Sequence, residues 1–156
     1  YGRRYLRNAT VTTIAPTGTL SIIAGCSSGI EPLFAVAYRR RLLDDQELVE
    51  IHPAFRRVAK ALGFWNDDLA RRLVESGSIR DLEDIPAPVR SLFVTAYDLD
   101  PLWHLQIQSA FQEYTDNAVS KTVNLPRTAT LETVREIFLK ADELCLNGVN
   151  VYRDGS

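Results

Sequence analysis

The chain has 156 residues, the size of one domain or of a piece of a larger one. Apolar residues make up 46% and charged residues 24%, which excludes disorder, collagen-like repeats and a disulfide scaffold. Eighteen Lys and Arg against twenty Asp and Glu leave a net charge of -2, so nothing draws the chain generally to nucleic acid or to an anionic membrane surface. Its apolar runs are only a few residues long, too short for a membrane-spanning helix. Cys26 and Cys145 lie far apart, neither in a Cys-x-x-Cys pair, and His52 and His104 complete no zinc spacing with them. Two free thiols in a reducing, cytoplasmic setting are expected. The chain starts at Tyr1, contains no Met and ends on Asp-Gly-Ser, so the expectation is a segment of a longer protein.

In chain order, residues 9–15 are uncharged and rich in Thr, Val and Ile, the pattern of a buried strand with both faces covered. Pro16-Thr17-Gly18-Thr19 is turn chemistry leading into a helical turn or two from Leu20 to Ala24, and Gly25 to Gly29 is a loop of small residues. Ile30 to Tyr38 reads as a second strand whose pairing begins after Pro32. Residues 39–50 carry a run of Arg followed by a run of acids and read as a solvated connection. Pro53 opens a helix with Phe55, Val58, Ala59 and Leu62 on one face, stopped at Gly63. Asn66 caps the next helix, with Leu69, Leu73 and Val74 as its apolar stripe and Gly77 as its break. A polar connection covers 78–88, and apolar periodicity returns from Val89 to Tyr97.

Asp100-Pro101 starts the longest helical pattern, over about 101–118, whose uncharged Gln, Ser and Asn imply packing against polar protein surface. A short extended run follows from Lys121 to Pro126. Thr130 opens a final helix with Val134, Ile137, Phe138, Ala141 and Leu144 as its buried face, and 149–152 is a closing strand. The class is α/β, with few strands for its length.

The sharpest chemical feature is the strand, then Pro16 to Ser21, then a helix start. Amides freed at a helix start favour an anion, Gly18 permits close approach, and the hydroxyls of Thr17, Thr19 and Ser21 add donors. There is no Lys where a Walker loop requires one, so a P-loop ATPase is excluded. Cys26 reads as an ordinary thiol, Cys145 as a buried one, His104 as a hydrogen-bonded structural residue and His52 as a turn residue. Glu31, among apolar residues, needs a partner such as an Arg or a backbone N–H. No acid/base pair or triad is legible.

Taken together, Pro16-Thr17-Gly18-Thr19-Leu20-Ser21-Ile22 and Gly25-Cys26-Ser27-Ser28-Gly29-Ile30-Glu31-Pro32 closely resemble the loop that cradles the substrate diphosphate in the large subunit of ribonucleotide reductases. The segments Asp116-Asn117-Ala118-Val119-Ser120-Lys121-Thr122-Val123-Asn124-Leu125-Pro126 and Gly148-Val149-Asn150-Val151-Tyr152-Arg153-Asp154-Gly155-Ser156 resemble the adenosylcobalamin-dependent, class II branch of that family. Class I has a Tyr-Tyr pair near its closing strand where this chain has Tyr152-Arg153. The resemblance implies an α/β fold forming the C-terminal portion of a ten-stranded α/β barrel, incomplete as an isolated chain, with 1–156 as one domain or fragment. It implies a role in converting ribonucleotides to deoxyribonucleotides by thiyl-radical chemistry. The radical cysteine, its reducing pair and the assisting Glu and Asn lie upstream in the family pattern, so this segment is expected to be inactive alone and its cysteines dispensable.

The carry-over is narrow: Thr17, Gly18, Thr19, Leu20 and Ser21 match the phosphate-contacting loop, with no catalytic or metal-binding residue in the chain. Implied partners are a ribonucleoside diphosphate or triphosphate, adenosylcobalamin in the parent enzyme, and the N-terminal part of the same enzyme. Exposed strand edges imply self-association of the segment alone. From the residues alone, a non-catalytic phosphate-binding or assembly module is the other reading.

Overall fold

A computed structural model describes residues 7–41 and 47–155. They fall into two compact units, one built from the residues through Glu31 together with those from Asp100 onward, the other from Pro32–Leu99. Among the described residues the strands form two two-stranded sheets and no closed barrel, so the α/β class is observed as a mixed fragment. None of the described helices is long and apolar enough to cross a membrane.

In the Pro32–Leu99 unit, strand β1 (Ala37–Arg41) pairs antiparallel with β2 (Glu47–Ile51), and Leu33 makes an isolated parallel bridge to Thr95. Pairing therefore begins after Pro32, as its missing N–H requires. The solvated connection expected at 39–50 is instead a hairpin, with 42–46 outside the described residues. Opposite charges meet across it where Arg39 lies 3.3 Å from Glu47, and beside them the Tyr38 hydroxyl donates to the Glu50 carboxylate. A run of Arg followed by a run of acids pairs well when the chain folds back, which a linear charge reading does not capture.

Three helices, α2 (Pro53–Ala61), α3 (Asp67–Ser76) and α4 (Ala87–Leu92), and a 3₁₀ turn (Ala96–Asp98) complete this unit. Pro53 sits at the first position of α2, and the Asn66 side chain accepts the Leu69 N–H at 2.7 Å to cap α3. Phe55, Ala59, Leu69, Leu73, Ile79, Ile85, Val89 and Phe93 close over Val36 and Ala37 as one apolar core. Phe55 and Phe93 meet edge to face at 5.3 Å. Leu62, by contrast, is exposed beyond the end of α2. Ile79 and Ile85 come from the connection that reads as polar; both are buried, and they carry the chain across the core.

The other unit holds α1 (Gly18–Ala24), α5 (Pro101–Gln112), β3 (Thr122–Leu125), α6 (Leu131–Glu143) and β4 (Asn150–Arg153). β3 and β4 run parallel, Val123 beside Val151, joined through α6 as a parallel pair requires. Leu105, Val123, Leu125, Ile137 and Ala141 form its core. Thr130 and Thr133 make a reciprocal cap at the start of α6. Phe138, expected on the buried face of α6, is half exposed.

Two further expectations are corrected in this unit. Residues 9–15 are an exposed extended edge rather than a buried strand, with a single parallel bridge from Ile14 to Val119. Their remaining bonds go largely to side chains, chiefly Asp116, so they have no full ladder. The helix expected to reach 118 ends at Gln112, because Gln112 turns its amide onto the following loop and closes it, donating to the carbonyls of Thr115 (3.2 Å) and Asn117 (2.9 Å). Its polar face does pack on protein: the buried Gln108 donates to the carbonyls of Val119 at 3.0 Å and Gly148 at 2.7 Å.

Candidate functional site

The Pro16–Ser21 turn is held from both sides. On the entering side, one Asp116 carboxylate oxygen accepts the N–H groups of Val11 (2.9 Å) and Thr12 (3.1 Å) and the Thr12 hydroxyl (3.0 Å), while the Asp116 N–H donates back to Thr12 Oγ1 at 2.9 Å. The Val11 N–H first, and then the two Thr12 donors, hold this carboxyl below the ordinary range. Ser120 N–H reaches the Ile14 carbonyl at 2.8 Å, which fixes the last residues before the turn.

At the turn itself Thr17 adopts the left-handed conformation, φ 51° and ψ 27°, and α1 begins at Gly18. A β-branched residue rarely takes this conformation without support. Support comes from the small-residue loop that follows α1. Gly29 N–H donates to Thr17 Oγ1 at 3.0 Å, and the Ser28 hydroxyl donates to the Pro16 carbonyl. Gly29 has φ +50°, and a Cβ there would sit 3.1 Å from the Ala15 carbonyl oxygen, so the close approach needs glycine.

The sequence-predicted residues take separate roles. The amides of Gly18, Thr19 and Leu20 open α1 and have no intrahelical acceptor. No side chain caps them, because the Thr17 hydroxyl is engaged with Gly29. The Ser21 hydroxyl is turned inward onto the Gly18 carbonyl at 2.7 Å, leaving Thr19 as the exposed hydroxyl of the turn. A Cβ added at Gly18 would meet nothing within 4 Å. Five residues read as one binding loop thus divide into three helix-opening amides, one exposed hydroxyl and two hydroxyls bonded within the loop.

Glu31 carries the second cluster. Its Oε2 lies 2.7 Å from the Lys121 ammonium and its Oε1 accepts the Thr122 N–H at 2.7 Å, so the partner it needs is a Lys and a backbone amide. Lys121 also bonds the Thr122 carbonyl at 2.6 Å and faces His104 Nδ1 at 2.7 Å. Its side chain is fully buried. That burial lowers the Lys121 pKa, and the hydrogen bond and charge of Glu31 oppose the fall. His104 is the hydrogen-bonded structural histidine expected of it.

Sequence reasoning passes over Lys121, Ser28 and Asp116. Lys121 has a legible signal, as the one charge in the uncharged run 117–125 and one of three Lys in an Arg-rich chain. Cys26 and Cys145 are both free and exposed. Cys145, which the pattern places beside the buried face, instead lies past the end of α6 in the left-handed conformation at φ 54° and is exposed. His52, which reads as a turn residue, is the N-cap position of α2. Among the described residues no three His, Cys, Asp or Glu side chains gather as a metal site.

Comparison with known proteins gives a consistent answer. Residues 3–152 match the family described as ribonucleotide reductase, barrel domain. The chain is 46% identical over 151 residues to a vitamin B12-dependent ribonucleoside-diphosphate reductase of Thermoplasma acidophilum, covering 97% of this chain and 20% of that protein. It is 47% identical over 150 residues to one of Mycobacterium tuberculosis, covering 96% of this chain and 22% of that protein. The chain thus spans about a fifth of the length of these relatives. The fold is similar to that of the Actinobacillus ureae class Id ribonucleotide reductase alpha subunit, with a TM-score of 0.73 at 17% identity over 90% of this chain and 25% of that one. On the family match, which covers nearly the whole sequence, the chain belongs to the ribonucleotide reductase barrel-domain family.

Proposed function

We propose that this chain is the closing part of the barrel of a cobalamin-dependent ribonucleotide reductase acting on ribonucleoside diphosphates, and that its Pro16–Ser21 turn holds the substrate's diphosphate. The observation that carries the reading is the turn itself: the three amides that open α1 without an intrahelical acceptor, the exposed Thr19 hydroxyl, and a glycine beside which a side chain would meet nothing within 4 Å. A diphosphate supplies acceptor oxygens for such donors, and a hydrogen bond to a charged acceptor contributes about 1.5–3 kcal/mol. The names of the relatives favour the diphosphate over the triphosphate and supply the cobalamin.

The role is binding and orientation. No Asn-x-Cys-x-Glu element occurs in the 156 residues, and both thiols lie on exposed turns, so radical formation and reduction are assigned to the rest of the parent enzyme. Adenosylcobalamin would generate the radical there. Among the described residues no three His, Cys, Asp or Glu side chains gather, and none is assigned to hold it. Exposed Leu20, Ile22 and Ile23 on α1 fit a segment covered by further chain in the parent enzyme.

The test is the Gly18→Val reductase. Because the added side chain meets no neighbour, the fold should survive while the backbone donors are blocked. Titration of a nucleoside diphosphate should show weaker binding than for Thr19→Ala, which removes a single donor, with the melting temperature near that of the parent. Normal affinity in Gly18→Val would remove the reading.

A further inference from the structure

Lys121 is a costly residue where it stands. It is fully buried at the start of β3, beside Val123 and Leu125, which are ordinary core residues. Replacing a buried ion pair by well-packed apolar side chains is often neutral or stabilising, so packing alone gives no reason for a charge here. The ammonium is nonetheless completely satisfied. It has three N–H groups and meets three acceptors: Glu31 Oε2, the Thr122 carbonyl and His104 Nδ1. An ammonium can only donate, so with Lys121 charged the His104 Nδ1 takes the acceptor role.

What the cluster joins is informative. Glu31 lies ninety positions before Lys121, and its carboxylate is held at both oxygens by Lys121 and Thr122. The Glu31 N–H returns to the Ser28 carbonyl at 3.0 Å. Ser28 and Gly29 in turn grip the Pro16 carbonyl and the Thr17 hydroxyl. A continuous line of hydrogen bonds thus runs from the α5–β3 core through Glu31 to Thr17, the one residue of the turn in a strained conformation. A short, strained turn keeps its shape only if its neighbours impose it.

Resting on the diphosphate reading of the turn, we propose that Lys121 is a positioning residue for substrate binding: it anchors Glu31, and through the Ser28–Gly29 brace it sets the conformation in which the Gly18, Thr19 and Leu20 amides face the diphosphate. His104 completes the ammonium's coordination and belongs to the same unit.

The experiment uses the full-length reductase with Lys121→Met, Glu31→Gln and the double variant, with Ile137→Ala as a destabilised control from the same core. The dissociation constant of a nucleoside diphosphate, kcat and the melting temperature are measured for each. A displaced turn should weaken diphosphate binding about ten- to a hundredfold in either single variant, with kcat at saturating substrate little changed. The double variant should lose no more than the worse single one, since the two residues act as a unit. Ile137→Ala should melt lower and bind normally. If Lys121→Met does not fold, Glu31→Gln, which keeps the side-chain shape, carries the measurement. Binding unchanged in Glu31→Gln, or weakened equally in Ile137→Ala, overturns the proposal. Gly18→Val separates the two readings: if it weakens binding while Glu31→Gln does not, only the positioning role falls.

Discussion

The two units hold themselves together differently. The Pro32–Leu99 unit is stabilised by a ten-residue apolar core, with helices started by Pro53, Asn66 and Pro86. The unit that carries the turn has, among the described residues, an apolar cluster of five buried side chains and places His104, Gln108, Lys121 and Asn124 in its interior. Apolar packing is non-directional and tolerates small displacements; hydrogen-bonded polar interiors fix geometry and are sensitive to any missing partner. The division fits the proposed function, because the turn proposed to hold a diphosphate lies in the unit with the directional interior.

Single substitutions should expose the contrast at its largest. Phe55→Ala removes an aromatic ring from the apolar core and should cost about 3–5 kcal/mol in denaturant unfolding. Lys121→Met leaves Glu31 with an unpaired carboxylate, a loss of about 3–5 kcal/mol for a buried pair and toward the low end here because Glu31 is a quarter exposed. The two sites should then diverge on a second substitution. Glu31→Leu added to Lys121→Met should recover much of the loss, since no charge is left unpaired. No second truncation around Phe55 can refill its cavity. If the double variant is no more stable than Lys121→Met alone, the polar interior behaves as ordinary packing and the contrast between the units disappears.

The same contrast explains what could be read from the sequence. Elements of the apolar unit were legible because helix caps and 3.6-residue periodicity are local: Asn66, Pro53, Leu69 and Leu73 stand where the pattern places them. The hairpin was not, because charge segregation along the chain says nothing of charge pairing across it. In the other unit the apolar surroundings of Glu31 call for a partner, yet Lys121 lies ninety positions away and no spacing rule reaches that far. The Pro16–Ser21 residues were legible as a turn, and their grouping with Ser28 and Gly29 came only with three dimensions. Residues 9–15 read as a buried strand because β-branched composition reports strand propensity and leaves burial undetermined.

A smaller effect should follow from capping. Asn66→Ala removes the acceptor for the Leu69 N–H and should cost about 1 kcal/mol, with helical dichroism falling mainly on mild heating. The loss should be confined to α3 in amide exchange, because a cap acts on one helix end.

Acidification should separate the units by the pH at which each begins to weaken. His52 has its pKa lowered, first by burial and then by the nearby Arg57 charge, and its buried Nδ1 has no partner among the described residues. The unfolded chain therefore takes up the proton first as pH falls below 6.5, binds more protons than the folded chain, and is favoured. Asp116 is also lowered, by the Val11 and Thr12 donors, from an ordinary value of 3.8. Its contribution is fully present above that value and is lost only as pH falls through its folded pKa, again because the unfolded chain protonates first. Both shifts weaken the fold on the acid side, in different windows. Amide exchange followed from pH 7 to pH 3 should show the Pro32–Leu99 unit loosening below 6.5, while the Val11 and Thr12 amides stay protected until the carboxylate range. His52→Asn should flatten the first phase, whatever it does to absolute stability, and Asp116→Asn should remove the second at every pH. Simultaneous loosening of both units near pH 6 in Asp116→Asn and parent alike would show that the Asp116 clamp contributes nothing to holding residues 9–15, and that the entering side of the turn is fixed by the Ile14 and Ser120 contact instead.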